Sequence, residues 1–317
     1  MTVGIAIGAL TLVAARPPQV PVFASATELV YVVVSVSLAS GEPIPELGRT
    51  DFVIREDGKE RPITVFSRAR DLEEAGRNAF PVDVTLLLDT SGSMRPGLNT
   101  SRALALQFIQ SIPKATTRRL VTFNNEVRVW AFNDAKPEAS LDAALALAPN
   151  AGSRLFDGIM ATLELPARRD ERRVIVSLTD GMDEGSQVDR AIAEKALQDG
   201  GVTFYAVSFA AQLQSPTPLF DYSRKDPIPR RSDADRAALN LQSLTSKSGG
   251  FVVQGTVPDL AAQFDRVRAD ISAQYVIGFE PAPSKPGKRH RLSVEVRQPD
   301  VRIRHRGSYE TRVPPMP

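Results

Sequence analysis

The chain has 317 residues, with 39 Lys and Arg against 37 Asp and Glu, two His, no Cys and an apolar fraction of 42%. At roughly 100–200 residues per domain this length suggests two domains with real cores, and the mixture of apolar and charged residues excludes a wholly disordered chain. The net charge of +2 argues against a dedicated nucleic-acid binder, the lack of Cys excludes thiol nucleophiles, disulfides and zinc–thiolate sites, and His290 and His305 leave little for His-based catalysis.

From Val3 to Ala15 the chain is an uncharged apolar run, too short to cross a bilayer, which takes about 20 apolar residues. Its length suits the hydrophobic stretch of a secretory leader, and Ala24-Ser25-Ala26 offers small residues for cleavage before Thr27, although no Lys or Arg precedes the run. Residues 1–26 therefore read as a signal peptide or N-terminal anchor, and the protein as exported: periplasmic, cell-surface or extracellular. Next, Val32, Val34, Val36 and Leu38 alternate with Val33, Ser35 and Ser37, the period of a half-buried strand. Phe52–Ile54 and Ile63–Phe66 flank Asp57-Gly58, a pair that favours a tight hairpin turn. Alternation returns at Tyr275–Phe279, Leu292–Arg297 and Val301–Arg306. Residues 27–80 and 275–317 thus read as two β segments of one sandwich-like domain, since each alone has too few strands to bury two faces. Beyond Ser284, nine Lys and Arg stand against three acids, but no aromatic residues are interleaved among Arg302, Arg304 and Arg306, so a solvated strand face is expected there rather than a nucleic-acid or lipid surface.

Between residues 81 and 274 the pattern changes. Val84–Leu88, Leu120–Phe123, Val127–Phe132, Val174–Leu178, Val202–Phe209 and Phe251–Val253 read as strands. Ser101–Ile112, Leu141–Ala148, Leu155–Leu165, Val188–Gln198, Ala237–Ser248 and Pro258–Ile271 read as helices. Such alternation predicts an α/β domain with a doubly wound, mostly parallel sheet covered by helices on both faces; Asn124-Asn125 predicts one antiparallel hairpin at its edge.

In such sheets function gathers where strand C-terminal ends open into loops. Three polar loops fall there: Asp89-Thr90-Ser91-Gly92-Ser93, Gly152-Ser153-Arg154 and Thr179-Asp180-Gly181. Asp89, Ser91, Ser93, Ser153 and Asp180 supply two carboxylates and three hydroxyls, hard oxygen donors that suit Mg²⁺ or Mn²⁺ better than zinc or copper. One Asp-x-Ser-x-Ser alone could be a helix N-cap; three matched loops in order favour a metal site.

The segments VTLLLDTSGSM, GSRLFDG and VIVSLTDGMDE resemble the metal-ion-dependent adhesion site of von Willebrand factor type A domains, over about residues 81–274. The resemblance implies that Asp89, Ser91 and Ser93 correspond to that family's DxSxS ligands, Ser153 to its usual Thr and Asp180 to the Asp of its last loop. The flanks are similar to bacterial exported VWFA-related proteins. Asp157, Asp183 and Glu184 lie near the loops and read as caps or solvated acids, Arg95 and Arg154 as neutralising partners of nearby carboxylates. Residues 210–236, with Pro216, Pro218, Pro227 and Pro229 and with Arg224, Lys225, Arg230 and Arg231, read as a long irregular loop, either partner-contacting or a flexible insertion.

The first functional reading is a non-enzymatic module that binds a protein ligand through a divalent metal, an Asp or Glu carboxylate of the partner completing the shell, with neither nucleic acid nor a small-molecule substrate inferred. A metal-assisted hydrolase and an intracellular assembly factor working with an ATPase or chelatase partner are the competing readings.

Overall fold

A computed structural model describes residues 29–69, 80–112, 116–146, 152–168, 171–208, 233–254 and 257–311. The leader 1–26 and most of the loop 210–236 lie outside the described residues; residues 233–236 of that loop form the first turn of a helix.

The chain begins with β1 (Val30–Leu38), β2 (Phe52–Glu56), β3 (Lys59–Arg61) and β4 (Ile63–Arg68). Asp57 and Gly58 join β2 to β3 with φ of 50° and 81°, the left-handed backbone that a two-residue hairpin demands and that the Asp-Gly pair anticipates. The hairpin partner is not Ile63–Phe66, as the spacing suggested, but the charged β3. Pro62 has no N–H to continue the ladder, and after it β4 crosses to the other sheet.

The middle of the chain comprises β5 (Val82–Asp89), α1 (Leu98–Ser111), β6 (Thr117–Phe123), β7 (Val127–Trp130), α2 (Pro137–Leu145), α3 (Leu155–Glu164), β8 (Arg172–Thr179), α4 (Arg190–Gly200), β9 (Thr203–Ser208), α5 (Asp233–Ser248), β10 (Val252–Gln254) and α6 (Val257–Ser272). Among the described residues these strands form one sheet in the order β10-β9-β8-β5-β6-β7, parallel throughout except for β7, which returns antiparallel to β6 after Asn124-Asn125. Alternate strand residues feed two cores. Leu86, Leu88, Val176 and Val207 pack against Phe108, Leu141, Phe264 and Val267; Leu87, Val121, Ile175 and Phe204 pack against Leu155, Ile159, Leu197 and Leu244. A strand buried on both faces reads as a continuous apolar run, which is why VTLLL and VIVSL signal the sheet centre. Helix α2 starts four residues earlier than the apolar period indicated, because Pro137 occupies the first helical position, where its missing N–H costs nothing.

The chain then returns with β11 (Tyr275–Phe279), β12 (Arg289–Val296), β13 (Val301–Arg304) and β14 (Ser308–Glu310). Two antiparallel sheets result, β13-β1-β11-β4 and β14-β12-β2-β3, each built from strands on both sides of the α/β segment. Their inner faces, including Val32, Val34, Phe52, Ile54, Tyr275, Ile277, Leu292 and Val294, form one shared core. The sandwich expected from the flanks is therefore present, with β3 and β14 added as short strands too polar to stand out in sequence.

Two expectations about solvated faces fail for one reason. Ser35 and Ser37 are buried rather than facing water, and Arg304 and Arg306 are half-buried rather than a solvated basic face. Both sets lie in the seam between the sandwich and the α/β unit. There the buried Asp270 of α6 accepts hydrogen bonds from Ser35 Oγ at 3.0 Å, from the Tyr205 hydroxyl and from Arg304. Arg306 donates to the Gln198 and Tyr31 carbonyls at 2.8 and 2.7 Å. Arg172, the first residue of β8, joins the seam through Gln274 Oε1 at 2.9 Å. The sandwich thus meets the strand that opens at Arg172 from its amino-terminal end, leaving the carboxyl-terminal edge of the central sheet to the loops. No helix among the described residues is long and apolar enough to cross a membrane.

Candidate metal centre at the carboxyl edge of the central sheet

From β5 the chain moves to β6 on one side, and later places β8 on the other. Helices α1 and α3 cover opposite faces of the sheet, so the ends of β5 and β8 flank the crevice where a doubly wound sheet can hold a ligand. Asp89 ends β5, and Asp180 follows β8 directly. Their positions follow from in-register parallel pairing of the two strands, Leu88 opposite Leu178.

Four of the five candidate ligands form one hydrogen-bonded chain. Asp89 Oδ1 accepts the Ser91 N–H at 2.9 Å, the Ser91 and Ser93 hydroxyls lie 3.0 Å apart, and Ser93 Oγ donates to Asp180 Oδ2. Ser153 is not bonded directly to these. Its hydroxyl donates to the Met182 carbonyl at 2.8 Å, and its own carbonyl accepts the Glu184 N–H at 2.7 Å, which ties the loop before α3 to the loop after β8. Having donated its proton, Ser153 Oγ keeps lone pairs available to a cation.

Thr179, which the motif reading left without a role, orients the site from behind: its hydroxyl donates to Asp89 Oδ2 at 2.7 Å and accepts the Gly181 N–H at 2.9 Å. Thr90 was also passed over. Its N–H and hydroxyl both reach the Phe123 carbonyl, and Asn124 Nδ2 donates to Thr90 Oγ1 at 3.1 Å, locking the β5 loop to the neighbouring β6. The available signal was a hydroxyl beside each motif Asp. Gly181 has φ of 87°, and a Cβ there would lie 2.8 Å from the Ala237 carbonyl oxygen, so both conformation and space call for glycine.

Of the neighbouring acids, Asp183 caps a helix and Glu184 is exposed, as the sequence suggested, whereas half-buried Asp157 braces the loop before α4 instead. Asp183 Oδ1 accepts the Phe156 N–H at the start of α3, and Asp157 accepts the Gln187 N–H at 2.9 Å while lying 3.8 Å from Arg154. Arg95 is exposed on the turn after Ser93.

Asp89 and Asp180 are 1% and 2% exposed, yet among the described residues neither forms an ion pair with Lys or Arg. The Asp89 carboxyl is pushed up to about 7, first by burial and then by the charge of Asp180, against the opposing hydrogen bonds from Ser91 and Thr179. Two buried carboxylates without a cationic partner, ringed by hydroxyls and reaching solvent at exposed Gly92 and Ser93, fit a hard divalent ion in charge and donor type. Among the described residues no group of three or more His, Asp and Glu is placed to hold a metal, so such an ion would rely on hydroxyl oxygens and water for much of its shell.

A doubly wound α/β domain carrying this loop constellation is a von Willebrand factor A-type unit. The family model for the von Willebrand factor type A domain matches residues 83–255, more than half of the chain, and the chain belongs to that family. Solved structures with similar folds include a von Willebrand factor type A protein from Catenulispora acidiphila, at 13% identity and TM-score 0.45, over 90% of this chain and 72% of that one. An aerotolerance-related membrane protein from Bacteroides fragilis aligns at 15% identity and TM-score 0.44, over 60% of this chain and 98% of its own. Proximal thread matrix protein 1 from the mussel byssus, with its MIDAS motif occupied by zinc, aligns at 16% identity and TM-score 0.46, over 63% of this chain and 47% of its own. No curated protein sequence matches the chain significantly.

Proposed function

We propose that this protein is exported and that its carboxyl-edge loops form a non-enzymatic binding site, which holds Mg²⁺ or Mn²⁺ through Asp89, Ser91, Ser93, Ser153 and Asp180. The observation that carries this reading is the pair of buried, cation-free carboxylates inside a shell of hydroxyls. Asp89 and Asp180 supply the negative charge, the Ser side chains supply neutral oxygens, and Thr179 holds the Asp89 carboxylate in orientation. With only two carboxylates present, a bound divalent ion would retain positive charge and accept an Asp or Glu carboxylate of a protein partner. The exposed rim around Gly92, Ser93 and Arg95 would then meet that partner, and the sandwich, docked on another side of the domain, would leave the rim open.

The test is thermal unfolding in EDTA and in increasing Mg²⁺ or Mn²⁺. A ligand bound only by the native state stabilises it by about 2.7 kcal/mol at a hundredfold excess over Kd. The parent Tm should rise with metal and that of Asp89→Ala should not. An equal rise in both proteins removes these residues from metal binding.

A further inference from the structure

The low His content argued against His-based chemistry, yet the structure places one of the two His in an arrangement the sequence does not hint at. His290, on β12, is 1% exposed. Its Nδ1 lies 2.9 Å from Asp57 Oδ2, and its Nε2 lies 2.9 Å from Ser284 Oγ. Asp57 comes from the β2–β3 turn and Ser284 from the loop between β11 and β12, so residues on both sides of the α/β segment meet at one imidazole.

The hydrogen bonds define the roles. Asp57 is held below the usual carboxylate range, first by the Arg291 N–H bonded to its Oδ1, with a further contribution from His290. An ionised carboxylate only accepts, so Nδ1 of a neutral imidazole carries the proton and Nε2 presents its lone pair to the Ser284 hydroxyl. The ring is stacked on Tyr309, with centroids 5.2 Å apart and planes at 17°. Glu56, 3.5 Å from Nδ1, is already engaged by Arg61, the Tyr309 hydroxyl and the Ala282 N–H. Thr311 Oγ1 lies 2.9 Å from Ser284 Oγ, and when it donates its proton to that oxygen the Ser284 proton is left to His290. Ser284 is only half-buried, and the turn that follows it, Lys285 to Lys288, is exposed. A purely bracing hydroxyl has no need of solvent access.

We propose that Ser284, His290 and Asp57 form a second, metal-independent site for acyl transfer from exposed carboxylic esters. Nucleophile, base and orienting carboxylate stand in the order and at the separations this chemistry uses. Ser284 Oγ adds to the ester carbonyl carbon as its proton passes to His290 Nε2. The carbon–oxygen bond to the alcohol then breaks, and that proton goes to the departing oxygen. Water, giving its proton to the same Nε2, cleaves the ester on Ser284, releases the carboxylic acid and returns the hydroxyl. Asp57 is a positioning residue that holds the imidazole in the required tautomer. The open loop admits an ester carried on a surface or an extended chain.

The experiment treats the full chain, in EDTA to keep the metal edge out of play, with a fluorophosphonate probe that loses fluoride as a phosphorus–oxygen bond forms on an activated serine. Mass spectrometry then compares Ser284 with the exposed Ser40. Ser284 should label about a hundredfold faster than Ser40, as expected for general-base assistance, and the fast label should vanish in Ser284→Ala. Asp57→Asn suits the left-handed turn and should slow labelling while shifting the His290 tautomer seen by ¹⁵N NMR. Labelling of Ser284 at the rate of Ser40, or at the parent rate in Asp57→Asn, overturns the proposal.

Discussion

Ser153 is the candidate ligand that stands apart, joined to the site through the Met182 carbonyl rather than through the Asp89–Asp180 chain. Its hydroxyl both bridges two loops and offers an oxygen to a cation. Ser153→Thr keeps that oxygen and adds one methyl, so the metal-induced rise in Tm should persist. Ser153→Ala removes the oxygen and leaves a buried carbonyl without its donor, at a cost of about 1–3 kcal/mol. Its Tm in EDTA should fall and its response to Mg²⁺ should shrink. Equal metal responses in Ala and parent proteins would remove Ser153 from the shell. The motif was readable because Asp89 and Asp180 sit at or one residue past the ends of buried apolar runs, and Ser91, Ser93 and Ser153 follow in polar, glycine-bearing loops. Thr179 was not, since a hydroxyl ending a strand carries no mark that it faces a neighbouring carboxylate.

Helix α4 illustrates how local chemistry sets an element. Asp189 caps it by accepting the Ile192 N–H at 2.9 Å, and Gly201 closes it at φ of 64° with its N–H on the Gln198 carbonyl. Asp189→Ala should destabilise the protein by about 1 kcal/mol in chemical denaturation. No change would mean that packing of Ala193 and Leu197 alone holds the first turn. The Pro62 break shows the converse: the hairpin turn was legible at Asp57-Gly58, but strand partnership was not, because it depends on which sheet can accept a strand lacking one donor.

The seam between sandwich and α/β unit is polar. Asp270, Tyr205, Gln274 and Arg172 bond to one another and to Ser35 and Arg304, groups that water could satisfy if the two parts were separated. A fragment spanning 81–274 is therefore expected to fold alone, checked by cooperative unfolding of the fragment; a fragment unfolded while the whole chain is stable would tie the α/β core to its flanks. The seam also predicts a pH dependence. His305 accepts the Val294 N–H at Nε2 while its Nδ1 faces the Arg306 carbonyl at 2.6 Å, and burial holds its pKa below the ordinary 6.5. The unfolded chain then takes up a proton before the folded one, so this contribution lowers stability as pH falls through 6.5. Between about pH 7.5 and pH 5.5 the Tm of the parent should drop more than that of His305→Gln. Identical pH profiles would discount the seam His.

Apolar period and loop chemistry alone specify the mostly parallel sheet, its antiparallel edge hairpin and the loops that bear Asp89, Ser91, Ser93, Ser153 and Asp180, because each signal lies within a few consecutive residues. Sequence also indicates that the two flanks must complete each other, since neither has enough strands to bury its own faces. Contacts between distant segments have no such local signature. Ser35 and Arg304 look like solvent-facing strand positions until α6 brings Asp270 against them; Arg304 and Arg306 leave the surface for the seam, while Arg302 stays exposed as expected. Asp57, Ser284 and His290 are equally unremarkable in order along the chain. Their meeting depends on the pairing of β2 with β12 across the whole α/β segment, a register chosen by the shared apolar core rather than by the polar residues it brings together.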